Sequence, residues 1–321
     1  MSSLSGYLKE LAQRGTYDPG DICSSYQRWV TEDRYMILAH ERENWLSNPQ
    51  EFEYVAVKCS KRGNDVYARR VESRFEGISH RSPDLMMDFD KNPYASILDF
   101  TFTYDTKLCS FPEAWQNVGV EFNRCMANLR KQYGRISITR TWESFENGYP
   151  HIHAILIFQD HKFKVFPSYE GTADKPKRVW LVESKADMEK YWHSFIKVKA
   201  VYSLRGGLKY LAKYISKCAS YDSEDTKAVL TLAMCWVFRK KAFYVSGQFR
   251  KALTDLISAI CSSKTKKIQL NLMGERLQPN VWRVLGFVSV EIIDADPGQW
   301  AVLLTDQQIS DCYTEWESCK H

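Results

Sequence analysis

The strongest constraint on the fold is a strand–turn–strand signal in which Arg135 to Glu143 and Pro150 to Phe158 flank Asn147-Gly148. Asparagine and glycine tolerate the positive φ that tight hairpin turns require, so the two runs predict an antiparallel hairpin. Alternation along the first run sets Ser137, Thr139, Thr141 and Glu143 on one face and Ile136 and Ile138 on the other. On the second run His151 and His153 share a face, with Ile152, Ala154 and Leu156 behind them. A turn centred on Asn147 sets Glu143 opposite His151, its carboxylate on the imidazole face; Glu146 is the rival if the register slips.

The rest of the chain reads as mixed α and β. Ser96 to Thr103 predicts a strand with Leu98, Phe100 and Phe102 on one face, and Pro112 opens a helix that runs to Tyr133 and stops at Gly134. A second hairpin is expected from Glu53–Cys59 and Asp65–Val71 around Lys61-Arg62-Gly63-Asn64. Short helices are expected over Gly6–Arg14 and within Tyr26–Trp45, a linker over His80–Pro93, and a Lys- and Pro-containing loop over His161–Arg178. Helices follow near Ala186–Ile196, from about Gly207, and over Asp225–Phe238 and Ser246–Cys261, with strands near Val198–Ser203 and Val281–Ile293, the latter returning to the core. The expected organisation is an N-terminal extension over 1–90, a catalytic domain over 91–265 and a C-terminal extension over 266–321.

Composition narrows the function classes. The 44% apolar content of 321 residues is enough for a sizeable core, and nothing approaches the roughly 18 consecutive apolar residues of a membrane helix. Nine scattered cysteines without a Cys-x-x-Cys pair indicate neither a disulfide framework nor a zinc ribbon, and an intracellular, cytoplasmic protein is expected. A net charge of +5 permits a nucleic-acid partner without requiring one, and the absence of a Gly-x-x-x-x-Gly-Lys-Ser/Thr loop excludes a P-loop ATPase motor.

The chemistry-bearing residues fall in two groups. His151, His153 and Glu143 offer two neutral imidazoles and a carboxylate to one divalent cation. Downstream, Tyr210, Lys213, Tyr214 and Lys217 form one stripe of a helix whose other side carries Leu208, Leu211, Ala212 and Ile215. A phenol of pKa about 10 is a weak nucleophile, so it needs a polarised electrophile and a nearby cation. A metal on the imidazoles and the lysines beside the tyrosines answer those needs for attack on a DNA phosphodiester.

Phe100-Thr101-Phe102-Thr103, His151-Ile152-His153 and Tyr210-Leu211-Ala212-Lys213-Tyr214 occur in the order that resembles the HUH endonuclease superfamily, within it the rolling-circle replication initiators of plasmids and single-stranded DNA viruses. The resemblance spans about 95 to 220. It implies an α+β fold with a ferredoxin-like antiparallel sheet, helices packed on one face and additional terminal elements. It implies Mg2+ or Mn2+ held by His151, His153 and Glu143, and a nick made through a 5′-phosphotyrosine, with Tyr210 primary and Tyr214 second or structural. The implied partners are single-stranded DNA at a replication origin, in a hairpin, with a host helicase and polymerase. Thr101, Thr103, Arg250 and Lys240 are candidate DNA contacts, as are the basic runs Arg239–Lys241 and Lys264–Lys267. Trp142, Trp192 or Tyr202 are candidates to stack bases. A transposase of the same chemistry and a noncatalytic DNA-binding regulator remain alternatives.

Overall fold

A computed structural model of the chain describes residues 18–41, 52–79, 86–172, 174–217, 219–241, 243–249, 251, 282–289, 293 and 301–318. In chain order the elements are α1 (Pro19–Thr31), β1 (Arg34–Glu41), β2 (Phe52–Lys58), α2 (Asp65–Ser79), β3 (Tyr94–Ala95), β4 (Ile97–Thr103), α3 (Phe111–Tyr133), β5 (Ile136–Ser144), β6 (Pro150–Phe158) and β7 (Phe163–Glu170). They continue with β8 (Lys177–Val182), α4 (Lys185–Glu189), β9 (Ile196–Ala200), α5 (Leu204–Lys217), α6 (Thr226–Val237), β10 (Phe243–Val245), β11 (Trp282–Ser289), β12 (Ala301–Leu303) and α7 (Asp306–Ser318). Eight strands form one sheet in the order β10-β5-β6-β4-β9-β8-β7-β3, and four form another in the order β11-β1-β2-β12. Every pairing is antiparallel, so the fold is α+β and compatible with the nuclease arrangement expected from the sequence.

The β5–β6 hairpin forms in the expected register, with Glu143 opposite His151 and Thr141 opposite His153. Gly148 makes its turn at φ 85, and the Trp115 indole donates to the Gly148 carbonyl at 2.7 Å, tying the turn to α3. Any side chain at 148 would be strained by that φ and would press on Phe111 and Pro19 at 3.3 Å. Helix α3 starts where Glu113 accepts from the Ser110 backbone N–H at 2.9 Å and ends at Gly134.

The two faces of the large sheet differ. On the rear face Leu98, Phe100 and Phe102 of β4, Ile136, Ile138 and Trp142 of β5 and Ile152, Ala154 and Leu156 of β6 are buried in one core with Trp115, Val118 and Phe122 of α3. On the front face Ile97, Ile155, Ile157 and Val201 pack with Leu208 and Ile215 of α5, while α2 packs against α5 through Ala68 and Val71. Each large apolar side chain removed from water in these layers contributes roughly 1.5–3 kcal/mol.

Several local expectations are corrected. Asp65–Val71 is helical, because the Asn64 side chain caps α2 by accepting from the Tyr67 N–H at 3.0 Å instead of turning a hairpin. The Tyr26–Trp45 stretch divides into the end of α1 and the strand β1, in which Tyr35, Ile37 and Ala39 are buried at a period of two. His161–Arg178 is chiefly the hairpin β7–β8, with Phe163 and Val165 buried; Pro167 is tolerated because β7 pairs with β3 only at Phe163 and Lys164. The expected helix over Ala186–Ile196 shortens to α4, and Val281–Ile293 supplies β11, which pairs with β1 in the smaller sheet. The expected helix over Gly6–Arg14 and most of Ser246–Cys261 lie outside the described residues.

Candidate active site

The front face carries the histidines at the end of β6 nearest the Gly148 turn. His151 is flanked by Glu143 on β5 and Thr103 on β4, and His153 by Thr141 and Thr101. The imidazoles stack with centroids 4.9 Å apart and planes 15° off parallel, and Phe145 closes over His151 edge-on at 4.5 Å.

The Glu143 carboxylate reaches diagonally to His153, with Oε2 and Nε2 separated by 2.8 Å. An ionised carboxylate only accepts, so Nε2 carries the shared proton, and Nδ1 is turned toward the Thr101 hydroxyl at 3.4 Å. The other carboxylate oxygen lies 3.4 Å from Lys227 Nζ in the first turn of α6. Burial alone would raise the Glu143 carboxyl; the hydrogen bond to His153 and the charge of Lys227 outweigh it and hold the group below its ordinary value. Helix α6 is fixed there because Thr231 Oγ1 accepts from the Ser144 N–H at 2.9 Å.

His151 is buried, and neither of its ring nitrogens has a hydrogen-bond partner. Burial, then the neighbouring His153, lowers its pKa to about 4, so the ring is neutral and its lone pair available at neutral pH. Among the described residues no three His, Cys, Asp or Glu groups stand ready to hold a metal ion, since Glu143 and His153 share a proton. Two features nevertheless fit a divalent cation. The orphaned nitrogens of His151 are the sort of buried polar atoms that call for a partner. A 2.8 Å gap between nitrogen and carboxylate oxygen suits two donors that share either a proton or a cation.

Helix α5 lies over this same face. Its buried Leu208 and Ile215 pack with Ile155 and Ile157, and its backbone approaches β5 and β6. Gly207 allows that approach: a Cβ there would stand 2.8 Å from Val201 Cγ1 and 3.8 Å from Ile155 Cδ1. Tyr210, Lys213, Tyr214 and Lys217 are all on this helix, so the sheet face with the histidines and the helix with the tyrosines are adjacent.

The remaining candidates are dispersed. Lys240 donates to the Gln116 carbonyl of α3 at 3.2 Å, behind the sheet and away from the histidines. Trp142 is 1% exposed and Trp192 6%, with the Trp192 indole donating to the Thr103 carbonyl, so neither ring can stack on a base. Tyr202 is exposed. Arg250 and Lys264–Lys267 lie outside the described residues.

Sequence reasoning did not identify Lys227, which is far along the chain and in a helix without a motif. It also passed over Asp99, next to Thr101 on the front face of β4. Burial pushes the Asp99 carboxyl up against the opposing charges of His153 and Lys199. Beyond it Glu170 pairs with both Lys197 and Lys199 of β9.

Residues 98–219 match a family model for the replication-associated protein ORF2, a segment running from β4 through α5 that contains the hairpin, both histidines and both tyrosines. This match supports a role in replication initiation. No curated protein and no solved structure matches the chain. Among the described residues no helix is long and apolar enough to cross a membrane.

Proposed function

We propose that the chain is a site-specific, divalent-metal-dependent endonuclease and strand transferase that nicks single-stranded DNA and initiates rolling-circle replication. The observation that carries this reading is the His151–His153–Glu143 group on the sheet face over which the Tyr210/Tyr214 helix lies. The family match to residues 98–219 supports the replication context.

In this reading His151, His153 and Glu143 hold Mg2+ or Mn2+, which would supply Lewis-acid polarisation of a nonbridging oxygen of the scissile phosphate. Thr101 and Glu143 orient the His153 ring from its two nitrogens. The phenol oxygen of Tyr210 attacks phosphorus in line, forming a 5′-phosphotyrosine and releasing a 3′-hydroxyl. Lys213 and Lys217 stabilise the phenolate and phosphate charge. Attack by the 3′-hydroxyl on the phosphotyrosine reverses the reaction and rejoins the strand without ATP, and Tyr214 serves a second transfer. Origin DNA in a hairpin, a host helicase and a host polymerase are the partners this chemistry needs.

Covalent capture tests this reading. Full-length protein incubated with Mn2+ and a single-stranded origin oligonucleotide should give a protein–DNA adduct resistant to denaturation. The Tyr210→Phe/Tyr214→Phe double variant should give none; an undiminished adduct from it would remove the tyrosine mechanism.

A further inference from the structure

Arg140 lies on the rear face of β5, turned away from the histidines. Its guanidinium carbon is 4.0 Å from the Trp142 ring centre, 5.5 Å from that of Phe122 and 5.8 Å from that of Tyr244. Nη1 is buried without a hydrogen-bond partner, and no carboxylate among the described residues pairs with the group. Burial lowers its pKa to about 10, which still leaves it protonated at neutral pH. Aromatic faces return only part of what it costs to withdraw such a charge from water.

A second cation is delivered to the same place by a local device. Arg239 adopts φ 52, a left-handed conformation rare for a side chain of its size, just after α6. The Lys240 N–H then caps the helix on the Cys235 carbonyl at 2.9 Å, and Lys240 Nζ extends along α3 to the Gln116 carbonyl, 3.7 Å from where a Gly119 Cβ would stand. Burial, then the charge of Arg140, lowers its pKa. Neighbouring acids are committed elsewhere: Glu113 caps α3 at Ser110, and Glu121 engages Tyr104 at 3.2 Å and His193 at 3.5 Å. The intervening Cys235 is no anion, because burial pushes its thiol to about 11. Exposed Tyr244 and Val120 leave the rim open.

We propose that Arg140 and Lys240 form a phosphate-binding site on the sheet face opposite the histidines. The planar guanidinium and the ammonium are the pair that best fits a tetrahedral oxyanion, and a bound phosphate supplies the missing counter-charge. Its phosphate comes either from the DNA backbone, at a point remote from the nick, or from a free phosphate-bearing small molecule.

The experiment uses the full chain and its Lys240→Gln and Arg140→Gln variants, with cooperative unfolding checked by circular dichroism. Lys240→Gln carries the test if loss of the Arg140 ring stack prevents folding. Calorimetric titration with inorganic phosphate should show saturable binding to the wild type and at least about tenfold weaker binding to the variants. In parallel, anisotropy of a labelled single-stranded oligonucleotide is read against salt. If the source is DNA, Lys240→Gln lowers the log–log salt slope by about 0.7, the share of one phosphate contact. An unchanged slope with lost phosphate binding assigns a small phosphate-bearing ligand. Equal phosphate binding by wild type and Lys240→Gln, or none by either with unchanged slopes, overturns the proposal. The DNA arm rests on the nicking reading and the calorimetric arm does not, so a failure of nicking leaves the phosphate result standing.

Discussion

Replacing Glu143 separates its two roles, because the side chain both holds His153 and is proposed to hold a cation. The His153 side chain is 6% exposed and Glu143 17%, and they meet at 2.8 Å. Glu143→Ala removes a charge-assisted hydrogen bond and leaves a buried imidazole N–H without its acceptor. Losses of this kind run to about 1.5–3 kcal/mol, and partial access for water brings the expected cost to about 2 kcal/mol. Glu143→Gln keeps an acceptor oxygen at the same reach and should cost less than about 1 kcal/mol. Lys227, 47% exposed, can return to solvent in either variant and adds little. Urea unfolding in EDTA, followed by circular dichroism, measures this difference. Thermal unfolding with and without Mn2+ measures the cation-holding role. Wild type should be stabilised by the ion, and both variants should lose that stabilisation because both lose the anionic donor. The reasoning is refuted if Ala and Gln variants are equally stable in EDTA, or if Mn2+ stabilises Glu143→Gln as it does the wild type.

Two further predictions concern the scaffold. Gly207→Val should overpack the contact with Val201 and Ile155, cost about 1–3 kcal/mol and lower adduct yield by moving α5 off the sheet; an unchanged yield in a destabilised variant would show that helix placement is not limiting. Asp160 accepts from the Arg135 backbone and guanidinium, and these contacts lower its carboxyl to about 2. Its contribution is therefore present above the unfolded value of about 3.9 and lost as pH falls toward 2, so the stability gap between wild type and Asp160→Asn should close on acidification.

Where residue pattern and backbone geometry coincide, the fold was legible in the sequence. Asn147-Gly148 between alternating runs specified the hairpin and its register, and Pro112 and Gly134 bracketed α3. The misses came where a local signal had two physical outcomes. Gly63-Asn64 reads equally as a turn or as a helix cap, and only the bond from Tyr67 to Asn64 decides for the cap. Lysines and Pro167 disguised β7 because an edge hairpin exposes half its side chains. At the site, register set Glu143 opposite His151, yet the carboxylate turned diagonally to His153, a choice made by side-chain reach and Lys227. Arg140 was hidden among alternating residues, since its significance rests on the absence of an acid among its described spatial neighbours.

The central claim is that His151, His153 and Glu143 gather one cation on the face beneath the tyrosine helix. Pulsed electron paramagnetic resonance of Mn2+ bound to the full chain tests it most directly, because imidazole nitrogens modulate the metal signal. The expected result is coupling to two nitrogens in the wild type, to one in His151→Gln, and no tight binding in His151→Gln/His153→Gln. Tight Mn2+ binding without nitrogen coupling, or a spectrum unchanged by either substitution, would contradict the claim.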